Sequence, residues 1–440
     1  MLRLRTFWIE LRSSLWFLPS LIVFGCAVAA MGFIEIDYYL SQELLNKFPR
    51  LFGAGAEGSR GMLTAIAGSM ITVAGVTFSI TIVALAQAAS QYSSRILRNF
   101  MRDRANQSVL GIFLGIFVYC LLVLRSIRGG DEGEFVPSLS VLGGVVLALL
   151  GIGVLIYFIH HAAASLQASN VIAAAAHETF NTIDHLFPAL NPEPETELTA
   201  DTARWLERQR QIVIPAPKSG YLQSYDEDAL VDLACEREVV LRLHQSVGEF
   251  VVFDTPFVTV YTNAPLDEDM VAEVYDAFGI NALRTIEQDA GFGIRQIVDI
   301  ALKALSPGVN DTTTALTSID YLAAVNAQLA SRRIARSLIL KDGKLRLIVK
   351  SPSFEMFLAE SFDEIRASAR DKAAVIVRLL QALKVIAVAT DARERKCLVA
   401  KQVCLLEELA HKSSFADYEM AIIQDQLQSP PTLSSHTEDQ

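Results

Sequence analysis

The chain has 440 residues, a mean hydropathy of +0.34 and a formal charge of -11, with 52% hydrophobic and 20% charged residues. That balance excludes a disordered chain or a coiled coil. The acidic surplus argues against nucleic acid as a partner, because phosphate neutralisation needs a basic face.

Nearly all of the apolar excess falls before residue 161, in four blocks, while the rest reads as an ordinary soluble domain. The blocks run from about Phe17 to Ile34, Met62 to Ala86, Val109 to Leu124 and Leu139 to Ile159. Each is read as a membrane helix, since a lone strand leaves its backbone unsatisfied in lipid. The first block follows Arg3, Arg5 and Arg12 as a signal peptide would, yet it is long, lacks a clear small-x-small site and leads into Glu35 and Asp37. It is taken as a retained span, with Glu35 and Asp37 wet at its end. The third block is short, and Gly111 and Gly115 make a GxxxG within it. Gly144, Gly151 and Gly153 thin the fourth, so close helix packing is expected at these glycines either within one protomer or between protomers. His160 and His161 close the fourth block, as an interfacial pair or a pH sensor.

Orientation follows from Lys and Arg in the short connections. Arg3, Arg5, Arg12, Arg95, Arg98, Arg102 and Arg104 lie on one side; Lys47, Arg50, Arg60, Arg125 and Arg128 lie on the other, with Asp131, Glu132 and Glu134. Both termini are therefore expected in the cytoplasm. Five cysteines, Cys26, Cys120, Cys235, Cys397 and Cys404, form no CxxC pair, and the odd count suggests no disulfide framework.

The second block keeps polar residues along an otherwise apolar helix. At about 100° per residue, Ser69, Thr72, Ser79, Gln87, Ser90, Gln91, Ser94 and Arg98 fall within an arc of roughly 120°, and Thr77 and Thr81 fall outside it. A polar stripe on a lipid-length helix should face protein or water. Ser69, Thr72, Ser79, Gln87, Ser90, Gln91 and Ser94 are thus candidates to line a pore in a homo-oligomer, with Arg95, Arg98 and Arg102 as an anion-attracting cytoplasmic mouth. The competing reading is helix packing, with the arginines paired to lipid headgroups.

Beyond the fourth block, residues 162–209 read as a helical connector. His177, Glu178, Asp184 and His185 lie in it but match no metal spacing, so no metal and no cofactor is assigned. Residues 210–265 carry short β-rich runs between Pro- and Gly-containing breaks. They are similar to the barrel-sandwich units of lipoyl and biotinyl carriers, which suggests a small β barrel or sandwich. A carrier role is excluded because no lysine lies between Lys218 and Lys303. Residues 266–428 read as an α+β cytoplasmic domain, and 429–440 as a disordered tail. Within it, two helices are joined by a turn from Ser306 to Asp311, with Asp311 as the cap of the second. Gly291, Gly293, Arg295, Asn310, Asp311, Thr312 and Thr313 are candidates to hold an anion or nucleotide, against a purely structural role for the same glycines and caps. LILKDGKLRLIV reads as a hairpin turning at Asp342 and Gly343, with Leu345, Leu347 and Val349 on one face. Helices are expected from Ser353 to Ala369, Asp371 to Thr390 and Ala392 to His411, where Arg370, Arg378, Arg393, Arg395 and Lys396 read as solvated.

Two phrases, TVAGVTFSITIVALAQAASQYSSRILRNFMRD and IRQIVDIALKALSPGVNDTTTA, resemble the predicted membrane proteins gathered as domain of unknown function 2254. In that family the turn often has proline after the aspartate, where this chain has Thr312. The resemblance implies a bacterial inner-membrane location and brings no activity or site residues. The expected fold is thus four transmembrane helices plus a cytoplasmic α+β domain. The partners are the bilayer, further copies of the chain, and ions or a small cytoplasmic ligand. Two functions remain open: an oligomeric channel or transporter gated by its cytoplasmic domain, or a non-conducting membrane-anchored regulator. An enzyme is not expected, since no nucleophile with a base, metal spacing or phosphate loop occurs.

Overall fold

A computed structural model of the chain describes residues 16–47, 55–91, 103–128, 135–165, 167–189, 200–334 and 337–429. The chain divides after Gln167 into two compact units, each with its own buried core.

The first unit holds α1 (Phe17–Lys47), α2 (Ala56–Gln91), α3 (Arg104–Ser126) and α4 (Ser138–Ser165). All four are long and apolar enough to cross a membrane. The third is not short. Asp103 accepts from the Ala105 N–H at 2.9 Å and starts the helix at Arg104, so the polar residues before Val109 belong to it. α3 is central, with Phe113, Ile116, Tyr119, Cys120 and Val123 all buried. The packing at its glycines is internal to the chain: a Cβ on Gly111 would sit 2.8 Å from Pro19 Cα, and one on Gly115 2.6 Å from Cys26 Sγ, both on α1. Gly144 and Gly151 likewise admit Leu63 and Ile116, whereas nothing lies near Gly153.

Glu35 is exposed, but Asp37 is not wet. Two residues apart on a helix point to nearly opposite sides, and the Asp37 side turns onto the start of α4. There its carboxylate accepts from Leu139 N–H (2.9 Å), Ser140 N–H (2.8 Å) and Ser140 Oγ (2.6 Å), with no exposure. Tyr119 Oη donates to the Ser140 carbonyl at 3.0 Å, and Arg60 Nη2 to that of Ile127 at 2.9 Å.

The second unit begins with α5 (Ala168–Leu186) and α6 (Ala200–Arg208). Then come β1 (Gln211–Pro215), β2 (Gly220–Tyr225), α7 (Glu227–Glu236), β3 (Val240–Leu243), β4 (Phe250–Val251), β5 (Pro256–Tyr261), α8 (Glu268–Asp276) and β6 (Phe278–Asn281). Of the barrel or sandwich expected, the strands do not close into a barrel. They form an open five-stranded sheet, ordered β1-β5-β3-β8-β7, and an open three-stranded sheet, β4-β2-β6. β7 (Leu338–Lys341) and β8 (Lys344–Ile348) arrive from far along the chain, and β8 pairs parallel with β3. Both sheets and α7 contribute to one core, which includes Leu222, Leu230, Leu241, Val258 and Leu347.

α7 occupies a stretch read as part of the β unit. Asp226 caps it, accepting from Ala229 N–H, and Leu230, Val231, Leu233 and Ala234 form its buried face. The hairpin turns as expected, with positive φ at Asp342 (54°) and Gly343 (70°), as a two-residue primed turn requires. A register shift beside Leu340 sends Leu345 away from Leu347 and Val349: Leu345 packs with Leu206, Val240 and Tyr261 instead.

Helices α9 (Ala290–Leu305), α10 (Thr312–Ala330), α11 (Phe354–Ser368), α12 (Ala373–Val388) and α13 (Arg393–Lys412) match the expected positions. α14 (Asp417–Gln428) completes the unit. Arg395 is not a solvated residue. It donates to the carbonyls of Leu329, Ala330 and Arg332 at the end of α10 and lies 5.3 Å from the Phe354 ring centroid. Of the expected tail, residues 430–440 lie outside the described residues.

Candidate functional site

The buried face of α2 carries Ser59, Leu63, Ala67, Met70, Ala74 and Thr77, recurring every three or four residues against α3 and α4. Ser69, Thr72, Ser79, Gln87 and Ser90 are exposed, on the side turned away from that face. Ser69 and Thr72 donate to the carbonyls of Ala65 and Gly68, each at 2.8 Å, and Ser90 to that of Gln87 at 2.9 Å. Nothing packs near Gly61, Gly68 or Gly75, which recur at seven-residue intervals on the same side. Gln91 ends the helix, but its side chain, with Ser94, Arg95, Arg98 and Arg102, lies outside the described residues.

Thr77 behaves differently. It is 1% exposed, and its Oγ1 has no hydrogen-bond partner. Position 77 lies off the arc of the stripe, so periodicity alone gave it no role. Asp103, equally unforeseen, joins two helices: while one of its oxygens caps α3, its Oδ2 lies 2.6 Å from His161 Nε2 on α4. Tyr157 stacks on that imidazole, and His160 is exposed.

In the α/β unit the candidate ligand patch separates into two places. Gly291, Gly293 and Arg295 stand at the start of α9, whereas Asn310 to Thr313 stand past its end, roughly 20 Å away along the helix axis. Asp289 caps α9 through Phe292 N–H (2.9 Å) and takes a two-bond contact from Arg284, at 2.9 and 3.0 Å. Burial pushes the Asp289 carboxyl up in pKa, against the pull of Arg284. A Cβ on Gly248, where φ is +89°, would strike Asp289 Oδ2, so that glycine is required by the pair. Gly293 lets α5 close in, since its Cβ would overlap Thr179 Oγ1 at 2.0 Å. Arg295 is held by Asp299 (2.8 Å), Glu364 and Glu360, which raise its pKa further. It is engaged on every side and presents no free cation to an anion.

At the other end, Asp311 caps α10, accepting from Thr314 N–H (3.1 Å) and Thr314 Oγ1 (2.6 Å), bonds that hold its carboxyl below its ordinary pKa. Asn310 sits at φ +48° and accepts from Lys372 Nζ at 3.3 Å. That lysine also caps α9 through the Leu305 carbonyl at 2.8 Å. Thr312 and Thr313 are the first two residues of α10.

The connector residues are likewise engaged: Asp184 accepts from Gln328 and Arg332, His185 Nδ1 donates to the Asn181 carbonyl, and His177 packs edge-on to Phe180. Among the described residues no three His, Cys, Asp or Glu groups are arranged to hold a metal ion.

Four membrane-length helices joined to a mixed α/β unit define a multi-pass membrane protein. The chain belongs to the family described as predicted membrane protein, domain of unknown function 2254, which matches residues 12–385. It is similar to the uncharacterized proteins Rv1290c of Mycobacterium tuberculosis and Mb1321c of Mycobacterium bovis, each 32% identical over 430 residues, covering 92% of this chain and 78% of the relative. No solved structure matches the chain.

Proposed function

We propose that the chain is a homo-oligomeric channel or transporter of the bacterial inner membrane, without enzymatic activity. Its path runs along α2, and its α/β unit is a cytoplasmic gate. The observation that carries this reading is the outward side of α2, where Ser69, Thr72, Ser79, Gln87 and Ser90 turn away from the chain's own core. In a lone chain that side would meet lipid tails, where polar groups cost free energy; further copies or water would cover it. Gly68 and Gly75, with open space around them, suit close approach of a second helix. The intrahelical bonds of Ser69 and Thr72 leave hydroxyl lone pairs to face a path. Arg95, Arg98 and Arg102 follow at helical spacing and would give a cytoplasmic mouth that favours anions.

The test is anion and cation flux through the purified full chain in liposomes, with oligomeric state fixed beforehand. Ser79→Leu is expected to lower flux severalfold while leaving assembly and thermal stability unchanged. Absence of flux across pH and voltage sinks the conducting reading. It would leave the alternative, a membrane-anchored regulator acting through the α/β unit, which has a core of its own.

A further inference from the structure

The turn between β4 and β5 carries three large apolar side chains in the open: Phe250, Val252 and Phe253 are 54%, 51% and 63% exposed. Alternation along β4 puts two of them there. Val251 points into the core with no exposure, so its neighbours Phe250 and Val252 point out. Phe250 meets Tyr221 of β2 edge-on, with ring centroids 5.1 Å apart, and Asp254 at φ +63° turns the chain back towards β5.

Exposed as it is, the turn needs little from water. The N–H of Phe253 donates to Ser219 Oγ at 2.8 Å, that of Asp254 to the Ala216 carbonyl at 3.1 Å, and that of Thr255 to the Val252 carbonyl at 3.2 Å. Pro256, next in the chain, has no N–H. The Thr255 hydroxyl also donates to the Val252 carbonyl at 2.7 Å, and the Thr255 carbonyl accepts from Ala216 N–H at 2.9 Å. A backbone satisfied by its own chain can leave water for an apolar phase without losing hydrogen bonds.

We propose that this tip sits in the interfacial layer of the bilayer that holds the chain's own membrane helices. Tethering and area decide the occupant. Two residues separate the end of α4 from the start of α5, so lipid stands beside every α/β unit at a fixed, high local concentration. The three side chains present on the order of 300 Å² together, whereas a stable protein interface covers about 800 Å² on each partner. A tethered unit needs no such area to rest on lipid. Insertion is shallow, because Lys218, beside Ser219, and Asp254, beside Phe253, are exposed charges that stay at headgroup depth. Their signs are opposite, so the contact does not depend on anionic lipid. The surface belongs wholly to the α/β unit and stands whether or not α2 lines a path.

The photoreactive residue p-benzoylphenylalanine is placed at position 253, or at 252 in a second chain, and the purified full-length protein is irradiated in dioleoyl phosphatidylcholine liposomes. Adducts are identified by mass spectrometry. The same probe at position 418, where Tyr418 is 77% exposed on α14, controls for the probe's own affinity for lipid. Lipid adducts at 253 and 252 are expected severalfold above those at 418, and Phe250→Ser should lower the yield at 253 severalfold. Equal yields at 253 and 418, or no lipid adduct at 253, overturn the proposal. Covalent dimers formed through position 253 overturn it in favour of a second copy of the chain.

Discussion

Asp37 carries more of the membrane unit than its position in the sequence suggests. Its two oxygens satisfy two backbone donors and a hydroxyl at the start of α4, where the helix dipole also favours negative charge. Asp37→Ala is expected to destabilise the purified chain by about 2 kcal/mol, the usual range for hydrogen bonds to a charged group. Glu35→Ala, at an exposed position, should leave thermal unfolding in detergent unchanged. Equal effects at the two positions would refute the capping role. Of these single residues, Asp311 was legible as a cap from the turn around it, because N-capping is local. Asp37 was not, since its partners lie about a hundred positions away and nothing within the first block specifies them.

Among the helices, α3 is the one the others surround, and its glycines set how near α1 comes. A side chain at Gly111 would meet the backbone of Pro19, which no rotamer change relieves. Gly111→Val should therefore cost about 2 kcal/mol, in the range measured for overpacked cores. Gly153→Ala on α4, with open space around it, should cost nothing measurable. Thermal unfolding of the two variants side by side decides this, and similar losses in both would refute the account. The sequence marked all of these glycines alike; only the neighbouring helix distinguishes a contact glycine from a lipid-facing one. The α/β elements divide in the same way. The helices after residue 353 and the Asp342–Gly343 turn were readable from period and turn chemistry. The pairing of β8 with β3 was not, because it joins segments about a hundred residues apart. Without it, the run of short strands before residue 262 suggested a small barrel or sandwich of its own.

For the molecule as a whole, the division after Gln167 is the main mechanical fact. The α/β unit buries Leu241, Val258, Ile297, Leu322 and Leu379, and the cluster around Leu241 and Val258 is built from the unit's own residues. A fragment of residues 168–429 should be expressed in soluble form and unfold in a single cooperative transition. Calorimetry showing no transition would mean that this unit depends on the membrane helices. The four spans were legible because twenty consecutive apolar residues have few other uses. The polar stripe was legible too, since periodicity needs no partner to be seen, but the side to which it turns was not. The separation of Gly291 from Asn310 was not read from the sequence, although α9 alone fixes it: a ligand patch drawn across one four-turn helix has no single surface to occupy.

The Asp37 cap also bears on how the protein is made. The carboxylate leaves the ribosome with α1, while Leu139 and Ser140 follow about a hundred residues later. During that interval the first helix holds an acid whose permanent partners do not yet exist. Synthesis that stalls before residue 138 would leave that carboxylate without the donors of Leu139 and Ser140.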